Sequence, residues 1–217
     1  MKKNVTELVF ILDRSGSMAG LEGDTIGGFN AMITRQKEAD GEANVTTILF
    51  DDQVETLHER ISIQEINPMT EREYNVRGCT ALLDAIGQTI SRVGNIQKHA
   101  KSEDRANKVL FIITTDGYEN SSKEYSYMKV KQMIERQKKN YAWEFLFLGA
   151  NIDAVSTAKQ FGISEEYATN YVPDKQGTKL NYEAMNVAIS YCRADMPLDR
   201  SWKKEVERDY ETRKKPQ

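Results

Sequence analysis

The stretch from Val5 to Met18, VTELVFILDRSGSM, constrains this chain more than any other. Its apolar part is short and rich in Val, Ile, Leu and Phe, which predicts a buried strand rather than a helix. The run stops at Asp13, and a small-residue loop follows that presents three oxygen side chains, Asp13, Ser15 and Ser17. Alternating oxygen donors on a tight loop, with Gly16 between the two serines, can converge on one small hard cation.

This stretch resembles the opening of a von Willebrand factor A (vWA) domain, whose metal-ion-dependent adhesion site (MIDAS) begins Asp-x-Ser-x-Ser at the end of the first strand. The family pattern also needs a threonine in a second loop and an aspartate at the end of the fourth strand. Thr80 stands in VRGCTALLDAI, just before a helical pattern, and Asp116 ends the run KVLFIITTDG. The resemblance runs over residues 5 to 172 and implies an α/β fold: a doubly wound, mainly parallel sheet with one antiparallel edge strand and helices on both faces. It further implies that Asp13, Ser15, Ser17, Thr80 and Asp116 hold Mg²⁺ or Mn²⁺, completed by a Glu or Asp from a partner protein. The compact, cytosol-like style of the chain suggests an intracellular bacterial or phage member of the family.

At 217 residues the chain is long enough for one sizeable core, read as a vWA core over 1–172 and a helical C-terminal segment over 173–217 packed against it. Thirty Lys and Arg against 33 Asp and Glu leave no basic excess of the kind a nucleic-acid partner needs. Cys79 and Cys192 stand far apart in no metal-ligand spacing, which suits a reducing compartment. The opening MKKN does not read as a secretory leader, because Glu7 interrupts the apolar stretch and no small-residue cleavage site follows. No stretch approaches the roughly 20 apolar residues that span a bilayer. The expectation is a cytoplasmic protein with no membrane contact.

Taken in order, residues 21–41 carry a helical pattern with Ile26, Phe29 and Ile33 on one face and Gly41 as the stop. Gly27 and Gly28 weaken that helix, which predicts close packing against the first strand. Asn44–Phe50 reads as a strand, and the short Asp51-Asp52 turn predicts an antiparallel hairpin with the segment that follows. Residues 59–79 read as irregular. Leu83, Ile86, Ile90 and Val93 then predict an amphipathic helix, Val109–Thr115 a central strand, and Tyr127, Val130 and Ile134 another helix. Trp143–Leu148 reads as a buried strand, Ile152–Phe161 as a short helix and Ala168–Val172 as a last strand. Beyond it, Tyr182, Met185, Ile189 and Cys192 share one helical face, and Trp202, Val206 and Tyr210 repeat every four residues. Asp13 and Asp116 both fall at strand carboxyl ends, where open α/β sheets place their ligands.

Two carboxylates and three hydroxyls form a hard-oxygen set that favours Mg²⁺ or Mn²⁺ over Zn²⁺. Each residue also has an ordinary reading: the serines as turn formers, Thr80 as a helix cap, Asp116-Gly117 as a turn. The ordered set of five outweighs these readings. Arg14, Met18, Arg77, Tyr118, Glu119, Asn120 and Asn151 flank the loops and are the candidates for a rim that contacts a partner. His58 and His99 are isolated, and Asp51-Asp52 reads as a polar turn. The competing function is a Mg²⁺-dependent phosphoryl-transfer or hydrolytic enzyme. The chain has neither a G-x-x-x-x-G-K-[ST] loop nor a second aspartate two residues after Asp13, where Ser15 stands.

Overall fold

The apolar runs all enter one sheet. In the computed structural model, which describes residues 5–213, the strands are β1 (Val5–Asp13), β2 (Glu42–Phe50), β3 (Val54–Ser62), β4 (Lys108–Thr115), β5 (Glu144–Gly149) and β6 (Ala168–Asn170). They stand in the order β3-β2-β1-β4-β5-β6. Every pairing is parallel except that of β3 with β2. The result is a mixed α/β fold of the vWA type, with one antiparallel edge strand. The helices are α1 (Glu22–Lys37), α2 (Leu82–His99), α3 (Tyr127–Tyr141), α4 (Ala154–Gln160), α5 (Lys175–Arg193) and α6 (Lys204–Arg213).

Side chains on a strand alternate between faces, so each central strand feeds two cores. Leu8, Phe10 and Leu12 of β1 join Leu110 and Ile112 of β4 beneath α1 and α5, where Phe29, Met32, Tyr182, Met185 and Ile189 close the layer. Val9, Ile11, Phe111, Ile113 and Phe147 face the other way, against α2, α3 and α4. Both faces of β1 and β4 are covered, which is why their sequences are continuous apolar runs. β2 lies on one side of β1 and β4 on the other, so the strand order reverses at β1 and opens a crevice at the carboxyl ends of β1 and β4.

Several local expectations change. The Asp51–Gln53 connection of the hairpin is closed by Asp51, whose N–H donates to the Gln53 carbonyl (3.0 Å) while its Oδ1 accepts from the Gln53 N–H (2.7 Å). β3 continues to Ser62, into a segment read as irregular, with the backbone of Arg60 at φ 52° where the pairing register shifts. α4 starts only at Ala154, behind the cap that Asp153 provides to Ser156 N. Gly28 packs not against β1 but against α5, where a Cβ would lie 2.2 Å from Tyr182 Cδ2. Trp202 sits in a 3₁₀ turn over Arg200–Lys203 rather than on α6, so the four-residue spacing does not belong to one continuous α-helix. Trp202 and Val206 are nevertheless buried in the same core as α1 and α5, and the Trp202 indole N–H donates to the Glu166 carbonyl at 2.9 Å. Among the described residues no helix is long and apolar enough to cross a membrane.

Candidate metal centre

The five oxygen-bearing residues of the sequence pattern meet at the crevice. The Thr80 hydroxyl donates to Ser15 Oγ at 3.0 Å, Ser15 Oγ lies 3.2 Å from Ser17 Oγ, and Ser17 Oγ donates to Asp116 Oδ1 at 2.5 Å. Asp13 stands behind this chain, with Oδ1 accepting from the Ser15 N–H (2.7 Å) and Oδ2 from the Thr115 hydroxyl (2.5 Å). Asp116 Oδ2 is buried and has no hydrogen-bond partner among the described residues. Burial pushes the pKa of the Asp13 carboxyl up to about 6, restrained by its hydrogen bonds to Ser15 and Thr115 and reinforced by the charge of Asp116. Burial raises Asp116 as well, against the pull of the Ser17 hydroxyl. Both shifts record two acids held in a low-dielectric pocket with too little positive charge.

The loop bearing Thr80 is held from two sides. Asn120 grips Thr80 through both backbone groups: its Oδ1 accepts from the Thr80 N–H (2.9 Å), and its own N–H donates to the Thr80 carbonyl (3.0 Å). Thr80 therefore does not cap the helix that follows. The start of α2 is satisfied from the 119–125 loop instead, with Leu83 N donating to Glu119 and Asp84 N to Ser122 Oγ. Asp84 answers by accepting the N–H groups of Lys123, Glu124 and Tyr125. Gly117 closes the floor, since a Cβ there would sit 3.1 Å from Ser17 Oγ and 3.2 Å from Thr80 Oγ1.

Two of the rim candidates turn inward, which corrects the sequence reading. Arg14 is 1% exposed, and its guanidinium reaches Asp51 Oδ2 (3.0 Å), Glu55 (2.7 Å) and the Glu73 carbonyl (3.4 Å). Met18 is buried in the core beneath α1. The reason is register: Asp13 pairs with Phe50, so the next residues of both strands, Arg14 and Asp51, fall side by side, one cationic and one anionic. Arg77 is half-exposed and also bonds Asp51 (2.8 Å). Glu119 is used internally by Leu83, Ser121 and Ser122. Tyr118, Asn120 and Asn151 are exposed.

Asp51 is the residue that sequence reasoning missed. It is fully buried, and although burial works to raise it, the Arg77 hydrogen bond and the charges of Arg14 and Arg77 hold its carboxyl below the ordinary range. Its backbone carbonyl also accepts from Ala81 N (2.8 Å), so one residue ties the Arg14 loop to the Thr80 loop. The available signal was an acid at the end of the strand paired with β1, level with an arginine.

No protein-family profile and no curated protein sequence matches the chain. Solved structures do. A crystal structure of proximal thread matrix protein 1 from the mussel byssus, with a zinc-occupied MIDAS motif, superposes with TM-score 0.59 at 16% identity over 87% of this chain and 46% of its own. The ArnB paralog VWA2 from Sulfolobus acidocaldarius gives TM-score 0.53 at 16% identity, over 84% of this chain and 45% of its own. Manganese-loaded TRAP protein of Plasmodium vivax gives 0.55 at 15%, over 82% and 72%. These likenesses are likenesses of fold, and the chain spans about half the length of the first two.

Proposed function

We propose that this chain is a divalent-cation-dependent protein-binding module, in which Asp13, Ser15, Ser17, Thr80 and Asp116 hold Mg²⁺ or Mn²⁺ and a partner's Glu or Asp completes the coordination. The observation that carries this reading is the row of hydroxyls ending on a half-satisfied buried carboxylate. An octahedral cation with oxygens at about 2.1 Å sets neighbouring ligands about 3.0 Å apart, whereas the longer bonds of Ca²⁺ would set them farther apart. The Thr80–Ser15 and Ser15–Ser17 separations, 3.0 and 3.2 Å, are hydrogen-bond distances that also let the three hydroxyls share one such shell. Asp116 Oδ2 is buried without a partner, a state that costs free energy until a cation or donor meets it. Among the described residues no three His, Cys, Asp or Glu side chains gather, so a softer ligand set does not compete.

When bound, the cation supplies Lewis acidity and an exposed coordination position. The chain's own residues do the rest. Asp13 holds the Ser15 backbone and shapes the loop, Asn120 fixes Thr80, and the neutral hydroxyls leave positive charge that an incoming carboxylate satisfies. We place the module in the cytoplasm, where the exposed free thiol of Cys79 would stay reduced.

The test is capture of binding partners with Mg²⁺ and with chelator, using the parent and Thr80→Ala. The reading expects Mg²⁺-dependent capture that Thr80→Ala reduces while the melting temperature stays within a few degrees. Equal capture in Mg²⁺ and in chelator would overturn it.

A further inference from the structure

At the opposite end of the sheet from the metal centre, α2 and α3 part to leave a cavity of about 630 Å³. Its floor lies where β4 and β5 begin, at Val109 and Trp143. Lys98, Arg105 and Arg136 line it, with no carboxylate side chain among the described lining residues. Among the described residues neither Lys98 nor Arg136 makes an ion pair. In a chain of net charge −3, three cations gathered without an acid stand out as a site for an anion.

One feature of the fold opposes this charge and is covered. α2 ends at His99, and the free carbonyls of a helix C-terminus repel anions. Arg105 Nη2 lies 3.4 Å from the Lys98 carbonyl and 3.3 Å from that of Ala100, which neutralises that end. The rest of the lining mixes polar groups, among them Asn95, Gln97 and Gln137, with one apolar side. On that side Trp143, only 6% exposed, stacks one face on Phe111 with ring centroids 5.4 Å apart, and Met133 and the exposed Tyr141 lie beside the same cavity. Beside the Cη2 edge of the indole stands Gly94, where a Cβ would make only ordinary contacts, 3.7 Å from Gln137 Nε2 and 3.9 Å from Trp143 Cη2. Packing therefore does not require glycine at this helical position, where it weakens the helix relative to alanine. Its effect is to leave the cavity wider beside the edge of Trp143.

We propose that this cavity binds a small organic anion carrying a flat apolar ring. The phosphate or carboxylate meets Lys98, Arg105 and Arg136, and the ring lies against Tyr141, Met133 and the edge of Trp143. Guanidinium groups suit phosphate and carboxylate geometry, and a ring against an indole adds contact that a bare ion lacks. The volume falls within the roughly 300–1,000 Å³ of small-molecule sites. This site stands apart from the metal centre and does not depend on it.

The test is calorimetric titration of the full chain with 1-naphthyl phosphate, with inorganic phosphate and neutral 1-naphthol as comparisons. The proposal expects naphthyl phosphate to bind with Kd below about 1 mM, and at least about tenfold tighter than either comparison. The double variant Lys98→Glu/Arg136→Glu should lose at least about tenfold in affinity. Gly94→Leu, which fills the cavity beside Trp143, should lose a similar factor. Both variants should keep the parent's Mn²⁺ affinity. Absence of binding to the parent, or unchanged affinity in the charge variant, would overturn the proposal. Phosphate binding as tightly as naphthyl phosphate would overturn the ring, and naphthol binding as tightly would overturn the anion.

Discussion

Arg14 carries its charge into a place where only 2% of its side chain meets solvent, facing an Asp51 that is fully covered. A buried charge is tolerated only when its partners satisfy it, and this guanidinium has three: Asp51, Glu55 and the Glu73 carbonyl. Lysine keeps the charge but not the planar fork. Arg14→Lys should therefore destabilise the fold by about 2–4 kcal/mol in chemical denaturation. It should also weaken Mn²⁺ binding in calorimetry, because the Arg14 carbonyl holds the Arg77 N–H that leads to Thr80. A destabilised variant with parental Mn²⁺ affinity would show that the network serves the fold and not the loops. Glu7, 2% exposed at the other end of β1, is the opposite case. Burial raises its pKa despite Arg60 and the Thr46 hydroxyl. The folded state then holds the proton more tightly than the unfolded state, so Glu7 contributes stability at low pH and loses it as pH rises through its folded-state pKa. Glu7→Gln should gain on the parent as denaturation is repeated from about pH 4 to about pH 7. Parallel stability profiles would refute this.

Between elements, the closest approach is that of α1 to α5. Gly28 leaves no space for a methyl group, whose carbon would lie 2.2 Å from the Tyr182 ring. Gly28→Ala should cost about 1–3 kcal/mol by forcing the two helices apart, even though alanine is the better helix former. A variant as stable as the parent would mean that Tyr182 swings away without loss. The presence of a helix over residues 22–37 was legible from the spacing of Phe29 and Ile33. Which neighbour its glycines serve was not, because a small residue marks a close approach without saying what approaches. The start of α2 teaches the same limit. Its caps come from Glu119 and Ser122, more than thirty positions away, and no local pattern around Thr80 announces them.

Over the whole molecule, the last two helices belong to the core beneath α1. Trp202 and Val206 are 3% and 1% exposed, so removing residues 198–217 would uncover both Tyr182's layer and β6's edge. That truncation should cost about 3–5 kcal/mol and lower the melting temperature accordingly. An unchanged melting temperature would make α6 an appendage. The sequence by itself determined the α/β class, the antiparallel hairpin and the positions of the strand ends that carry Asp13 and Asp116, because these follow from local periodicity and from where apolar runs stop. It also singled out Ser15, Ser17 and Thr80, whose hydroxyls the fold brings together, since a pattern of oxygen side chains is written in residue types and order. Only the tertiary structure decided that Arg14 and Met18 point inward, that Asp51 is buried between two arginines, and that Lys98, Arg105 and Arg136 face one cavity. Those facts depend on which strands pair and in what register, and on how far apart two helices settle. Such long-range relations join residues that no window of the sequence contains together.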